Sequence, residues 1–396
     1  MQFRKFGKLN FEVSALGFGC MRFSSKINEA GIKVIDFDQS IKMLKYAIDK
    51  GLNYIDTAYI YHEGKSESIL GEVIKDGYRS KVRIATKLPI WDVEKIDDFD
   101  RYLDIQLKRL QTDYIDCYLF HALNKELWEN KVLRMNLLKR AELAKRAGKI
   151  KFLGFSFHDE YDVFTSIIDE YNKWDFCQIQ YNYIDINNQA GVRGLKYAAK
   201  KGLGVVIMEP LLGGILSNPP KAVQAVFKTV DVNRTPTDWA LQWLWNQPEI
   251  SVVLSGMGNM QQIIENIDSA DNSGIGKMTS QEINIIERAR NLHEELTLIP
   301  CVSCNYCLPC PQGINIPYIF DLFTKRFNYD RVGENRNKYG DTINRYINEI
   351  ASSCNSCKTC ENRCPQNIKV SSWMRMLKYC DKLPHNIKYF KNLKFT

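Results

Sequence analysis

The chain has 396 residues, 45% of them hydrophobic, enough for a sizeable core and more than one domain. Its net charge is +8, but the basic residues are scattered, and the run 139–151 alternates them with Ala, Leu and Glu as a solvated helix face does, which argues against a nucleic-acid partner. The N-terminus carries Arg4, Lys5 and Lys8 without an apolar core, and no stretch approaches the roughly 20 apolar residues of a membrane span, so a cytoplasmic protein is expected.

Residues 1–14 predict a short hairpin turning at Gly7-Lys8. Short apolar strands then alternate with amphipathic helices. Strands are expected at 15–19, 53–58, 82–87, 114–121, 152–157, 176–181, 204–209 and 251–255. The helices between and after them are expected at 37–50, 66–76, 96–110, 130–147, 161–174, 191–201 and 236–246. Eight such units fit an α/β (β/α)8 TIM barrel, whose active sites lie at the C-terminal ends of the strands. A doubly wound sheet also alternates, but no G-x-G-x-x-G follows the first strand. From about residue 269 the strand pattern stops. The expected domains are a barrel at 1–270, a linker and packing helix at 271–300, a small cysteine domain at 301–380 and a basic, aromatic tail at 381–396.

The chemistry centres on GLNYIDTAYIY at 51–61, the end of a helix, a strand and the loop after it. Asp56 is the one charged residue of an otherwise apolar strand, and burying a lone carboxylate costs roughly several kcal/mol unless a cation meets it. VRIATKL puts Lys87 at the next strand end, and YIDCYLFH puts His121 at the one after. Taken singly, Asp56 reads as a helix N-cap, Lys87 as a solvated strand end, and Tyr61 and His121 as half-buried residues. As an ordered set at successive strand ends they make a proton-donor site. Asp56 holds the Lys87 ammonium, the ammonium makes the Tyr61 phenol more acidic, and His121 orients a carbonyl.

These segments, with SESILGEVIK, resemble the aldo-keto reductase family over roughly residues 1–290. The resemblance implies hydride transfer from NAD(P)H to an aldehyde or ketone, with Tyr61 as proton donor. It also implies Ser156 and Gln180 at the nicotinamide carboxamide, although Phe157 and His158 follow Ser156 where the family usually has Asn. Met208 stands where a Tyr usually stacks on the nicotinamide. Gly256, Gly258, Gln262 and Asn266 are in register with the adenosine segment, while Asn259 replaces the Arg that pairs with the 2′-phosphate of NADP. NADH is therefore expected in preference to NADPH. The bland alternative makes this segment only the last turn of the barrel.

Of 12 cysteines, eight form two tight groups: Cys301, Cys304, Cys307 and Cys310, then Cys354, Cys357, Cys360 and Cys364, each followed by Pro. Without a secretory signal such groups indicate metal binding rather than disulfides. The second group is the C-x2-C-x2-C-x3-C-P pattern of two-cluster bacterial ferredoxins, and the first is one residue shorter before its last Cys. By that resemblance Cys301, Cys304, Cys307 and Cys364 hold one [4Fe-4S] cluster, and Cys354, Cys357, Cys360 and Cys310 hold the second. Zinc is the structural alternative. A helical segment at 319–350 separates the groups. Cys20, Cys117, Cys177 and Cys380 are isolated and read as buried thiols.

The parts together predict an iron–sulfur oxidoreductase acting on a small-molecule carbonyl, its clusters passing electrons to a ferredoxin or other electron-transfer partner. Because nicotinamides move two electrons as hydride and clusters move one, an electron relay through a flavin or other cofactor in the barrel mouth is the alternative. Another makes the clusters structural, or the tail a docking module for a redox partner. Specificity is expected in loops 60–65, 89–93, 122–130 and 211–221, with Trp91 and Trp128 lining an apolar pocket or simply packing.

Overall fold

The computed structural model describes residues 1–29, 31, 33–329 and 336–383, so the tail expected at 381–396 lies outside the described residues from 384 onward. The chain forms two compact units, Met1–Leu211 with Val230–Glu287, and Leu212–Thr229 with Arg288–Thr396. No helix among the described residues is long and apolar enough to cross a membrane.

The first unit is a closed parallel barrel. Its strands are β1 (Leu16–Gly19), β2 (Tyr54–Asp56), β3 (Arg83–Leu88), β4 (Ile115–Leu123), β5 (Ile150–Phe157), β6 (Phe176–Gln180), β7 (Gly204–Met208) and β8 (Val252–Ser255). They pair in chain order, and β8 closes on β1 through Val253↔Leu16 and Ser255↔Phe18. Apolar runs suit this architecture because both faces of each strand are covered. Inside, Tyr54, Ala85, Cys117, Leu119, Phe176, Val206 and Val252 pack together. The outward residues meet the helices, of which Phe37–Asp49 is typical. Asp36 caps it by accepting from Gln39 N at 3.1 Å, and Met43, Leu44, Ala47 and Ile48 make its buried stripe.

The N-terminal hairpin, Phe3–Lys5 paired with Glu12–Ser14, closes the end of the barrel away from the site. Its turn at Gly7 has φ +58°, and a Cβ there would collide with the backbone at Gly204, so only glycine fits. Phe6 then packs on Phe176 with ring centres 5.4 Å apart, and Arg4 donates to Ile250 O at 2.9 Å.

The second unit is mainly helical. Ile316–Tyr329, Arg336–Ser352 and Val370–Leu377 contribute to a core of Ile319, Phe320, Phe323, Ile347, Trp373 and Met374. The helical segment expected at 319–350 is thus two helices, and residues 330–335 between them lie outside the described residues. Cys20, Cys117, Cys177 and Cys380 are all fully buried, as isolated apolar thiols are.

Candidate active site and cluster thiols

The parallel pairing of β2 with β3 sets their C-terminal ends side by side, bringing Asp56 and Lys87 together. Both are buried, at 2% and 1% exposure. Lys87 Nζ donates to Asp56 Oδ1 at 2.7 Å and to Thr57 O at 2.7 Å, and lies 3.5 Å from Tyr61 Oη. Burial pushes the Asp56 carboxyl up, and the Lys87 ammonium pulls it part of the way back. Tyr61 opens a short turn, Tyr61–Gly64, which starts five residues beyond Asp56 and returns the chain to the next helix.

His121 lies where the β4–β5 pairing breaks between Phe120 and Leu123, beside Ala122 at φ +55°. Its ring is edge-on to Tyr61, with centres 6.2 Å apart. Burial pushes the imidazole well below its usual value, and the Lys87 and His158 charges add to this, so the ring is neutral at pH 7. A neutral imidazole has one N–H to donate and one nitrogen to accept, and Nδ1 has no hydrogen-bond partner among the described residues. Trp91, half exposed, packs 4.9 Å from the same ring. Trp128 takes the packing alternative. It is buried against Trp174 and donates to Glu170 Oε2 at 2.8 Å, which spends its polar edge on the core.

The residues expected on the cofactor side stand at the ends of β5 to β8. Ser156 Oγ accepts from Ala122 N at 2.7 Å, which leaves its O–H as a donor. Gln180 is tied at both ends of its amide, accepting from Gln189 Nε2 at 2.9 Å and donating to Asp185 Oδ2 at 2.8 Å. Met208 ends β7, and its sulfur accepts from Gln178 Nε2 at 3.7 Å. Past β8, Gly258 N donates to Gln262 Oε1 at 2.8 Å, and Asn259 caps the helix Met260–Asp271 by accepting from Gln262 N at 3.0 Å. Asn266 Nδ2 donates to Ser255 Oγ at 2.9 Å and is buried. The stem of Arg22 lies along Gly256, where an added Cβ would sit 3.4 Å from its Cβ and Cδ.

In the second unit Cys301, Cys304, Cys307 and Cys364 line one pocket, together with Val302 and Phe320. Burial pushes the Cys307 thiol up to about 12, with Cys304, Cys301 and Cys364 adding to the shift. Cys360 is pushed up to about 11 by burial, with Cys354 and Cys310 contributing. Cys357 is exposed and sits 3.5 Å from Thr359 Oγ1. Among the described residues no three Cys, His, Asp or Glu side chains converge on one ion. The first four thiols line one pocket, and three closely spaced thiolates with a fourth from the other sequence group are the donor set of a cubane rather than of a single tetrahedral zinc ion.

The Aldo/keto reductase family model matches residues 15–291. The chain belongs to the aldo-keto reductase family. A second family model, the 4Fe-4S dicluster domain, matches residues 297–368. The chain is 26% identical over 298 residues to the probable aldo-keto reductase 1 of Glycine max, covering 66% of this chain and 82% of that one. It is 27% identical over 319 residues to the L-galactose dehydrogenase of Arabidopsis thaliana, covering 74% and 96%. Among solved structures, the thermostable aldo-keto reductase Tm1743, in complex with the inhibitor epalrestat, is similar at TM-score 0.60 and 27% identity, covering 73% of this chain and all of that one.

This aldo-keto reductase is therefore an oxidoreductase with a fused 4Fe-4S dicluster domain. Its thiol-lined cavity fits a cluster, and the free Ser156 O–H and the orphaned His121 Nδ1 fit a polar ligand at the barrel's C-terminal end. Sequence reasoning missed the side chains behind Lys87 and Tyr61, namely Glu67, Gln106 and Arg109, and the cation Arg22 beside Gly256. Glu67 had a signal, because it lies inside the quoted SESILGEVIK segment. Gln106 and Arg109 had none, since their roles depend on which helix packs behind β3.

Proposed function

We propose that this aldo-keto reductase reduces the carbonyl of a small aldehyde or ketone in the cytoplasm. NADH is favoured over NADPH, and the clusters exchange single electrons with a ferredoxin or similar partner. The observation that carries the reading is the chain Asp56–Lys87–Tyr61, with spacings of 2.7 Å and 3.5 Å, beside a neutral His121. His121 offers its N–H to the carbonyl oxygen and fixes its direction. Tyr61 gives that oxygen its proton as negative charge develops there. The Lys87 ammonium stabilises the phenolate left behind, and Asp56 keeps the ammonium in place. When bound, the nicotinamide supplies the hydride to the carbonyl carbon. Ser156 and Gln180 would hold its carboxamide and Met208 would pack on its ring, for roughly 0.3–1.5 kcal/mol. Gly256, Gly258, Asn259, Gln262 and Asn266 would take the adenosine half. The NADH preference rests on Asn259, whose side chain caps a helix and offers no bidentate cation to a 2′-phosphate. Cys301, Cys304, Cys307 and Cys364 would hold one cluster, and Cys310, Cys354, Cys357 and Cys360 the other.

Changing Tyr61 to Phe tests the reading. Carbonyl reduction should fall by about 10²-fold or more, with iron content and folding unchanged. Undiminished turnover removes Tyr61 from this role. A second reading, a flavin in the barrel mouth, is favoured by the amide of Gln180, which is tied to Gln189 and Asp185. Stoichiometric flavin released from anaerobically purified protein would establish it.

A further inference from the structure

Behind Lys87 and Tyr61 lies a buried polar network that the proposed chemistry does not use. Glu67, fully buried, is its centre. Its Oε1 accepts from Thr86 Oγ1 at 2.7 Å and from Gln106 Nε2 at 2.7 Å, while Oε2 accepts from Arg109 Nη1 at 3.1 Å. Gln106 Nε2 reaches Lys87 O at 3.0 Å, and Gln106 Oε1 accepts from Tyr118 Oη at 2.7 Å. Arg109 Nη1 also donates to Tyr59 O at 3.1 Å, and its guanidinium lies 4.2 Å from the centre of the Tyr59 ring. The turn after Tyr61 closes on the same guanidinium, since a Cβ on Gly64 would sit 2.7 Å from Arg109 Cζ. One carboxylate thus ties together the strand carrying Lys87, the helix Asp98–Leu110 and the loop on which Tyr61 rides.

We propose that Glu67 is the positioning residue that holds Tyr61 against Lys87, acting through Arg109 on the Tyr61 loop and through Gln106 and Thr86 on the Lys87 strand. The inference rests on the proposed role of Tyr61 as proton donor. The 3.5 Å between Lys87 Nζ and Tyr61 Oη is the upper limit of a useful hydrogen bond. A small outward shift of the loop therefore removes much of the ammonium's influence on the phenol. A buried carboxylate with several charge-assisted donors resists such a shift, because losing any one donor leaves an unsatisfied charge. Burial pushes the Glu67 carboxyl up, and bonds from Thr86, Gln106 and Arg109 oppose the shift. The titratable groups facing Tyr61 include Lys87 from β3 and His121 from β4, with Asp56 from β2 bonded to Lys87. On its own loop His62 Nε2 accepts from Phe23 N at 3.4 Å, and Glu63 lies 3.8 Å from Lys65 Nζ.

The test compares wild type, Glu67→Gln, Arg109→Lys and Tyr61→Phe as full-length, cluster-loaded protein, measuring kcat, KM and the pH profile of kcat/KM. Glu67→Gln keeps shape and volume, and Arg109→Lys, at the edge of the network, keeps the charge if the first variant folds poorly. Expected for both is a fall in kcat of about tenfold with KM within about twofold. The ionisation seen in the kcat/KM profile should move to higher pH as the ammonium loses its hold on the phenol. Well-folded Glu67 and Arg109 variants with wild-type pH profiles, alongside an inactive Tyr61→Phe, overturn the inference. A fully active Tyr61→Phe overturns the underlying function instead.

Discussion

The indole of Trp91 packs against the imidazole of His121 with ring centres 4.9 Å apart. At 37% exposure Trp91 packs on His121 and still reaches solvent, so on the proposed reading it forms an apolar wall beside the group that would orient the carbonyl. Trp91→Ala should raise KM for an aromatic or aliphatic aldehyde about tenfold while kcat changes less than threefold, because the wall binds substrate and the reacting oxygen equally in the ground and transition states. An unchanged KM across a panel of aldehydes would take Trp91 out of the pocket.

Two buried histidines give stability a defined pH dependence. His121 is held well below its usual value and His293 is lowered from 6.5 to about 4, in both cases by burial first. The unfolded chain takes up protons as pH falls through about 6.5, while the folded chain does not until about 4 for His293. Protons thus favour unfolding in that window, so stability is fullest above pH 6.5 and falls as the pH drops. Each differentially bound proton contributes a slope of about 1.4 kcal/mol per pH unit. Thermal unfolding followed from pH 7 to pH 4 should show Tm falling, and His293→Leu should flatten that fall. A Tm that rises on acidification would contradict the assignment of these rings as neutral.

The proposed crossed sharing of thiols makes a sharper prediction than iron content alone. Cys364 lines the same cavity as Cys301, Cys304 and Cys307, although it lies in the second sequence group. Replacing Cys364 by Ala should therefore disturb the same cluster that Cys304→Ala disturbs, and Cys310→Ala the same one as Cys357→Ala. Cluster spectra of the reduced proteins would pair the variants in this way. Spectra pairing Cys364→Ala with Cys357→Ala would show that each group serves its own cluster.

Much of the barrel was legible because apolar strands buried on both faces leave a strong pattern, and all eight expected strands occur with ends shifted by a residue or two. The helix expected at 130–147 is interrupted. Its first part forms a wider turn at Trp128–Leu133, and Asn136 at φ +55° precedes the regular helix Leu137–Arg146. The hairpin of Ser25–Ile27 with Lys33–Ile35 went unforeseen, since Ser25–Ile27 is wholly exposed and carries no alternation to read. Asp56, Tyr61, Lys87 and His121 were found as a set because strand ends converge in this fold. The partners of Gln180 depend on the conformation of the loop holding Asp185 and Gln189, which no local pattern encodes. The second unit likewise takes in Leu212–Thr229, a grouping set by long-range packing. There a Cβ on Gly213, at φ +67°, would collide with the carbonyl of Val302, a constraint set by a residue far away in sequence.

The most direct test of the account follows a label from the nicotinamide to the product. Anaerobically purified, cluster-loaded protein is given NADH carrying deuterium at the transferable C4 position, with an aldehyde in ordinary water. Direct hydride transfer beside Tyr61 predicts one deuterium on the carbonyl carbon of the alcohol. Product carrying only solvent hydrogen at that carbon would contradict it, and would place the electrons on a relay through the barrel instead.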